Sequence, residues 1–594
     1  MVRNSLPRSP KSMAAAKATN VVPLLLLVPL IVLAGCSSTS DSASDMGGKG
    51  SKVKVTPGKG GGSTSTTGGS TTPTPTPTPA PPPPTTSAVA YDTSVGNGVD
   101  AAGFADLPLR SGAHRYFVSS SSGSDGNDCA AATNPATPKA SLASARACVA
   151  DGNGDQVLVA EGTTYSESLQ RYFNDKSGFS QVYPTVLQSY DPADPLNEAK
   201  YGRASDGNRP VLTTSDRAAT QLVSGAGAPT NYFAVRGFDI NPGNVPGESL
   251  QVLDRTGNTN YVLFENDLFR YTMLTRTADN TAVTARSFIV RNSAFYGSWN
   301  TSGYTQGVYS RSTIGTTVED CVFWHNGWKI GARRGDDQSI GGLMGGTAYM
   351  KNHPVYLQND DRNTIYRRNL IIDGAADGGH VLGDALVTEN VIIDAPIGLS
   401  VGGGTSYSTI RPEGVHLEIS YNAIIGSADQ QSDNTAAGGT AIWVANSTPD
   451  SSAHHNLMIR SNALPSDWTS PAFRTWSASG ETNPSYMNWH DNVAYLRSQS
   501  GLSVYEAVNG GPVTATYNDN VWDNADSGTN KNGREVAFPN PYATDGLLIA
   551  GGYSGADLAA RKRALIEYAI SNPEKHPGRS LLGLLFAGYG LALP

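Results

Sequence analysis

Little of this 594-residue sequence is charged: Asp, Glu, Lys and Arg make up 16%, and aromatic residues 8%. A basic surplus is absent as well, since 43 Lys and Arg stand against 51 Asp and Glu, a net charge of −8. A nucleic-acid binder needs a basic field to release counterions from phosphates, so that class is excluded. Also missing is the Ala, Leu, Glu and Lys bias of a helical bundle or coiled coil. Cysteine is scarce, with four residues, and no Cys/His spacing of a metal site occurs. What is abundant is Gly (65) and Pro (36), with Asn, Ser and Thr, the composition of many turns and short strands.

The length allows up to four domains at roughly 150 residues each. Arg3, Arg8, Lys11 and Lys17 precede an apolar run from Val21 to Gly35, with no acid among them. That run reaches about 22 Å as a helix, short of the roughly 30 Å hydrocarbon core, so an export signal is favoured over a spanning helix. It ends Leu33-Ala34-Gly35-Cys36, which resembles the lipobox of bacterial lipoproteins. The resemblance implies that Cys36 becomes the lipidated first residue and that the membrane is a partner through this anchor. Ser37 and Ser38, where Asp is absent, imply the outer membrane, facing the periplasm or the cell surface.

Residues 36–90 are Ser/Gly/Thr-rich and then Pro-rich, from Thr72-Pro73 to Pro84. Such a stretch cannot bury enough apolar surface to fold. It reads as a tether, flexible first and then a stiffer spacer of roughly 3 Å per residue. Residues 1–35 carry four positive charges and the tether a net +2, which leaves the folded part near −14. Cys129 and Cys148, nineteen positions apart in an oxidising compartment, predict a disulfide. Cys321, inside a strand pattern, predicts a buried free thiol.

The remainder repeats. Asn, two residues and then a large apolar residue recur as Asn266–Phe269, Asn292–Phe295, Asp320–Phe323, Asn369–Ile372 and Asn390–Ile393. The series continues as Asn422–Ile425, Asn456–Ile459, Asn492–Tyr495 and, shortened, Asn520–Trp522. The steps are 26, 28, 49, 21, 32, 34, 36 and 28 residues. Steps of 21–28 suit one coil of a parallel β-solenoid with three short strands. The 49-residue step requires an extra coil or a large insertion. Asn tolerates the left-handed conformation of a sharp corner, and stacked Asn side chains can bond from coil to coil. The apolar residues that follow stack into a narrow core.

Three segments carry a resemblance: Tyr116-Phe-Val-Ser-Ser, Ala136-Thr-Pro-Lys-Ala-Ser-Leu, and Gly154 to Tyr165. Together they resemble the opening of right-handed parallel β-helix proteins of the pectate-lyase-like superfamily, over residues 114–525. The implied fold is all-β, a right-handed parallel β-helix solenoid whose open end is capped by a short helix near Ala140–Ala150. Helical periodicity over Gly555–Ser571, with Leu558, Leu565 and Tyr568 on one side, predicts a C-terminal covering helix. The chain thus divides into a signal (1–35), a tether (36–90), the β-helix (91–540) and a C-terminal segment (541–594).

The longest step points to the site. It holds Trp324-His325-Asn326-Gly327-Trp328-Lys329, Arg333, Arg334, Asp336, Asp337 and a Gly-rich loop from Gly341 to Gly346. Lys351-Asn352-His353-Pro354-Val355-Tyr356-Leu357-Gln358, Asp360, Asp361, Arg362, Arg367 and Arg368 follow. Residues 325–368 carry seven Lys/Arg and four Asp, one basic window in an acidic body. Arg forks pair carboxylates and aromatic faces stack on sugar rings, so the window suits an anionic polysaccharide. A solvated loop of mixed charge is the plainer reading.

Trp324-His-Asn-Gly-Trp, then Asn352-His353-x-x-Tyr356-x-Gln358 and His380, resemble a pattern in secreted β-helix proteins related to polysaccharide lyases. Pro354 stands where that pattern has a second Asn, and Gly378-Gly-His380 replaces a Ser-His-Gly order. β-Elimination at a uronate needs carboxylate neutralisation, a base for the C5 proton and an acid for the leaving oxygen. Lys351 or His353 is the candidate base and Tyr356 the candidate acid. Trp328, Lys329, Arg333, Arg334, Gln358, Arg362 and His380 are candidates for substrate binding. Asp336, Asp337, Asp360 and Asp361 could hold calcium. On a regular strand His353 and Tyr356 would face opposite sides unless the chain bends at Pro354. The expectation is a monomeric lyase acting on an anionic polysaccharide. The rivals are a glycoside hydrolase, which needs converging carboxylates, and a non-catalytic polysaccharide-binding or matrix-assembly protein.

Overall fold

The computed structural model describes residues 98–593 with interruptions, the longer of them at 214–219, 279–284, 328–351, 404–413, 427–439, 461–470, 478–484, 496–503 and 524–533. The signal and tether readings, Cys36 included, lie outside the described residues. Among the described residues, strands form three sheets of 13, 13 and 10 members, and every named strand pairs in parallel with its neighbours. The first sheet runs from Arg115–Val118 to Val513–Asn518 and the second from Thr164–Tyr165 to Arg534–Glu535. The third runs from Thr220–Ser224 to Tyr505–Asn509. The chain visits them in rotation, so the molecule is a parallel β-helix, as the opening segments imply.

The interior is one continuous core whose residues stack coil on coil. Phe269, Phe295 and Phe323 lie face to face at 4.6 and 4.9 Å between ring centroids. In the later coils an asparagine ladder runs through Asn369, Asn390, Asn422, Asn456, Asn492 and Asn520. Each Nδ2 donates to the next Oδ1 at 2.9–3.1 Å. Buried amides are thereby satisfied along the whole row.

The repeat is out of register by one residue between its two halves. Strand pairing aligns Phe323 with Ile371, not with Ile372. The left-handed residue is Asn266, Asn292 or Asp320 in the early coils, but Arg368, Glu389, Tyr421, His455, Asp491 and Asp519 in the later ones. A ladder amide must point inward from extended backbone, so the left-handed corner falls one residue before it. The 49-residue step proves to be an insertion at one corner. The second-sheet strand Val322–Trp324 and the third-sheet strand Asn352–Leu357 belong to the same coil.

Helix α1 (Leu142–Cys148) buries Leu142 and Ala145 against the first coil and carries the predicted Cys129–Cys148 disulfide. Cys321 is a buried free thiol, as expected. At the other end α2 (Thr544–Ala550), α3 (Leu558–Ser571) and α4 (Pro577–Gly588) cover the outer face of the second sheet. This explains the wholly apolar strands Leu370–Ile372 and Val391–Ile393, which are buried on both faces. The face of α3 differs from expectation: Leu565, Ile566 and Ala569 are buried, whereas Leu558 and Tyr568 are exposed. Lys562 pins α3 to two corners through Asp373 (2.7 Å) and Asp394 (2.6 Å). Among the described residues, no helix is long and apolar enough to cross a membrane.

Candidate active site

Strand Asn352–Leu357 buries its first four residues. His353 meets Tyr356 with ring centroids 5.0 Å apart, a contact that strict alternation would not allow. Pairing sets His380 beside Tyr356 on the next strand, and the rings meet edge-on at 4.8 Å. His353 and His380 are 4.5 Å apart, so three rings form one cluster.

Asp377 holds the cluster together. Its Oδ1 lies 3.0 Å from His353 Nδ1 and its Oδ2 3.1 Å from His380 Nδ1. Burial alone would push this carboxyl up, but the field and hydrogen bonds of the two histidines hold it at about 2. It is ionised at any working pH, and each imidazole is oriented by donating its Nδ1–H. Burial, and then the neighbouring His353, lowers the pKa of His380, which keeps that ring neutral. Its Nε2 lone pair is therefore available to take a proton.

The turn before His380 is fixed by close packing. A Cβ on Gly378 would stand 2.5 Å from the Gly398 carbonyl oxygen, and one on Gly379 2.8 Å from the Tyr366 ring. Tyr366 Oη donates to the Gly378 carbonyl at 2.6 Å. Only two glycines let the chain pass this closely over the core, and they deliver Asp377 and His380 to the outer surface of the third sheet.

The remaining candidates fall in three groups. Lys351, Trp328, Lys329, Arg333, Arg334, Asp336 and Asp337 lie outside the described residues. Gln358 donates from Nε2 to Tyr309 Oη at 3.4 Å, and Tyr309 packs against Tyr356 at 5.6 Å, so both border the cluster. Asp360 and Asp361 turn the next corner instead. Asp360 accepts the Ser312 N–H at 3.0 Å and Asp361 the Thr313 N–H at 2.8 Å. Burial pushes Asp361 up to about 8. Arg362 is exposed ahead of the strand Thr364–Arg367, and His325 takes a left-handed turn conformation (φ 57°). Arg367 and Arg368, counted in the basic window, are spent on Glu319 and Asp320 at 2.5–2.9 Å.

Among the described residues, His353, Asp377 and His380 form the one group of three side chains spaced to ligate a metal. Asp377 was missed from sequence. Its signal was the spacing Asp377-Gly-Gly-His380, a carboxylate three residues ahead of an imidazole across a glycine turn.

No family model and no curated protein matches the chain. Solved structures similar to it include a lacto-N-biosidase from Eubacterium ramulus, at 12% identity over 68% of this chain and 68% of that one, TM-score 0.31. A rhamnogalacturonan lyase shares 10% identity over 68% and 87%, TM-score 0.29. An alginate lyase from Paenibacillus sp. str. FPU-7 shares 12% over 65% and 93%, TM-score 0.23. Likeness this slight leaves the chemistry to be argued from the side chains.

Proposed function

We propose that this protein is a carbohydrate-active enzyme, a lyase that cleaves a uronate-containing polysaccharide by β-elimination on the outer face of the third sheet. The reading rests on one observation, the Asp377-bridged pair His353/His380 packed against Tyr356. His380 Nε2 takes the C5 proton, the C4–O bond breaks as the C4=C5 double bond forms, and Tyr356 Oη protonates the departing oxygen. Asp377 orients His380 and balances the charge it acquires, and His353 packs beside the ring. Relative to the sequence reading, the base moves from Lys351 or His353 to His380, the more exposed imidazole.

Carboxylate neutralisation falls to the cations of the corner insertion, Lys329, Arg333, Arg334 and Lys351, which lead directly into the strand bearing His353. Hydrolysis by paired carboxylates is less favoured, because within the group Asp377 is the single carboxylate and is committed to two histidines. The lipobox supports a chain anchored by lipid at Cys36, which loss of the anchor in Cys36→Ser, read by membrane fractionation, would test.

Ultraviolet absorbance of unsaturated uronate products over a panel of anionic glycans tests the reaction. His380→Gln and Tyr356→Phe should each slow it by roughly 10²-fold or more. If both variants keep parental turnover, the assignment is wrong.

A further inference from the structure

The three-residue cluster has room for a second chemistry. One nitrogen from each imidazole and one Asp377 oxygen lie within 4.8 Å of one another. Asp377 stands 3.0 Å from His353 Nδ1 and 3.1 Å from His380 Nδ1. Two metal–ligand bonds of about 2.0–2.2 Å meeting near the tetrahedral angle hold their donor atoms roughly 3.3 Å apart. The spacing already present is close to that edge. His353 comes from one coil and Asp377 and His380 from the next, so no spacing in the chain announces the set.

The rings are open to solvent. Every hydrogen bond of His353 and His380 runs through Nδ1, and neither Nε2 is a buried atom lacking a partner, so water reaches both rings at Nε2. The His380 side chain is 14% exposed. The glycine turn of Gly378 and Gly379 holds Asp377 and His380 in place beforehand, which lowers the cost of gathering the ligands. Two imidazoles and a carboxylate suit zinc and its first-row neighbours, whereas calcium and magnesium take oxygen ligands.

We infer that His353, Asp377 and His380 also take a divalent transition-metal ion such as zinc, and that this ion switches the site off. The ion takes the place of the two protons shared with Asp377. Each Nδ1 gives its lone pair to the metal, and the proton it carried is replaced by one on Nε2 of the same ring, so both imidazoles stay neutral. His380 then bears a hydrogen where the substrate proton must go, and metal binding and catalysis exclude each other. The inhibition rests on the lyase reading, but the metal site does not.

The untagged full chain, stripped with EDTA and dialysed, is titrated calorimetrically with zinc chloride, alone and with calcium chloride present. Zinc should bind saturably and calcium should not compete. His353→Gln, His380→Gln and Asp377→Asn should each weaken zinc binding roughly tenfold or more, with circular dichroism confirming the fold. Unchanged zinc affinity in the folded His353→Gln and His380→Gln chains overturns the site, as does absence of saturable binding by the parental chain or equal competition by calcium. In the product-absorbance assay zinc should stop turnover and EDTA should restore it; parental chain that binds zinc and turns over glycan undiminished overturns the switch. Should no glycan of the panel be cleaved, the lyase reading falls, while zinc losses in the two histidine variants still uphold the metal site.

Discussion

Amidation of Asp377 probes the centre of the proposed mechanism. The carboxyl is 2% exposed and accepts from both imidazoles. Its pKa of about 2, against the usual 3.8, corresponds to roughly 2–3 kcal/mol of folding stability. A depressed carboxyl stabilises the fold above its unfolded pKa, so this contribution is complete at neutral pH. It is lost as the pH falls from about 4 to about 2. In Asp377→Asn one oxygen can still accept from one ring, but the amide nitrogen must donate to the other. If that ring is His380, it is driven into the opposite tautomer, with the proton on Nε2, and loses the lone pair that takes the substrate proton; if it is His353, His380 keeps its tautomer but loses the charged carboxylate that balances its imidazolium. Turnover should fall by roughly 10³- to 10⁴-fold, the scale on which loss of a tautomer-fixing carboxylate acts in a Ser-His-Asp triad. Product absorbance gives the rate and urea unfolding gives the stability, which should drop by about 2–3 kcal/mol. A folded Asp377→Asn chain that turns over glycan at the parental rate would sink the tautomer argument.

Three further outcomes are expected. Because burial and His353 lower the pKa of His380, the acid limb of kcat should be centred below the usual imidazole value of 6.5. An acid limb centred above 7 would contradict the assignment of the base. Asn422→Ala removes one rung of the ladder and strips partners from Asn390 and Asn456, costing about 1–3 kcal/mol as read by Tm; an unchanged Tm would show that the ladder is dispensable. Replacing Cys129 and Cys148 together by Ser opens a loop of 19 residues and should cost about 3 kcal/mol, seen as a lower denaturation midpoint.

The fold was legible because a solenoid writes itself repeatedly. Asn390, Asn422, Asn456 and Asn492 each precede an apolar run, and no single motif had to be trusted. The one-residue slip at Asp320 escaped notice because Asn serves both as a left-handed corner and as an inward rung, and sequence does not tell these uses apart. His353 and Tyr356 were legible as chemistry, while their meeting is one that strict alternation would forbid. Asp377 was harder. It joins the site from the next coil, and a residue 24 positions beyond His353 in the chain gives no local sign of nearness. Within the basic window, Arg367 and Arg368 pair with Glu319 and Asp320, a partnership across coils that a local charge count does not reveal. The pattern on α3 misled for a related reason, because the helix lies across sheet corners and buries Ile566 and Ala569 in place of Leu558 and Tyr568.

The helices over the second sheet set a timetable. In most solenoids each repeat is completed by its neighbours, and growth from one end leaves little apolar surface behind the front. Here the outer faces of strands from Leu268 to Val493 are closed by residues at and beyond Leu547. At ordinary synthesis rates, the chain between Leu268 and Leu547 takes tens of seconds to appear. Throughout that interval the middle coils would carry an apolar wall with nothing to lie on it. Folding of this β-helix is thus not a zipper but a clasp: its last segment must arrive before its middle is safe from other chains.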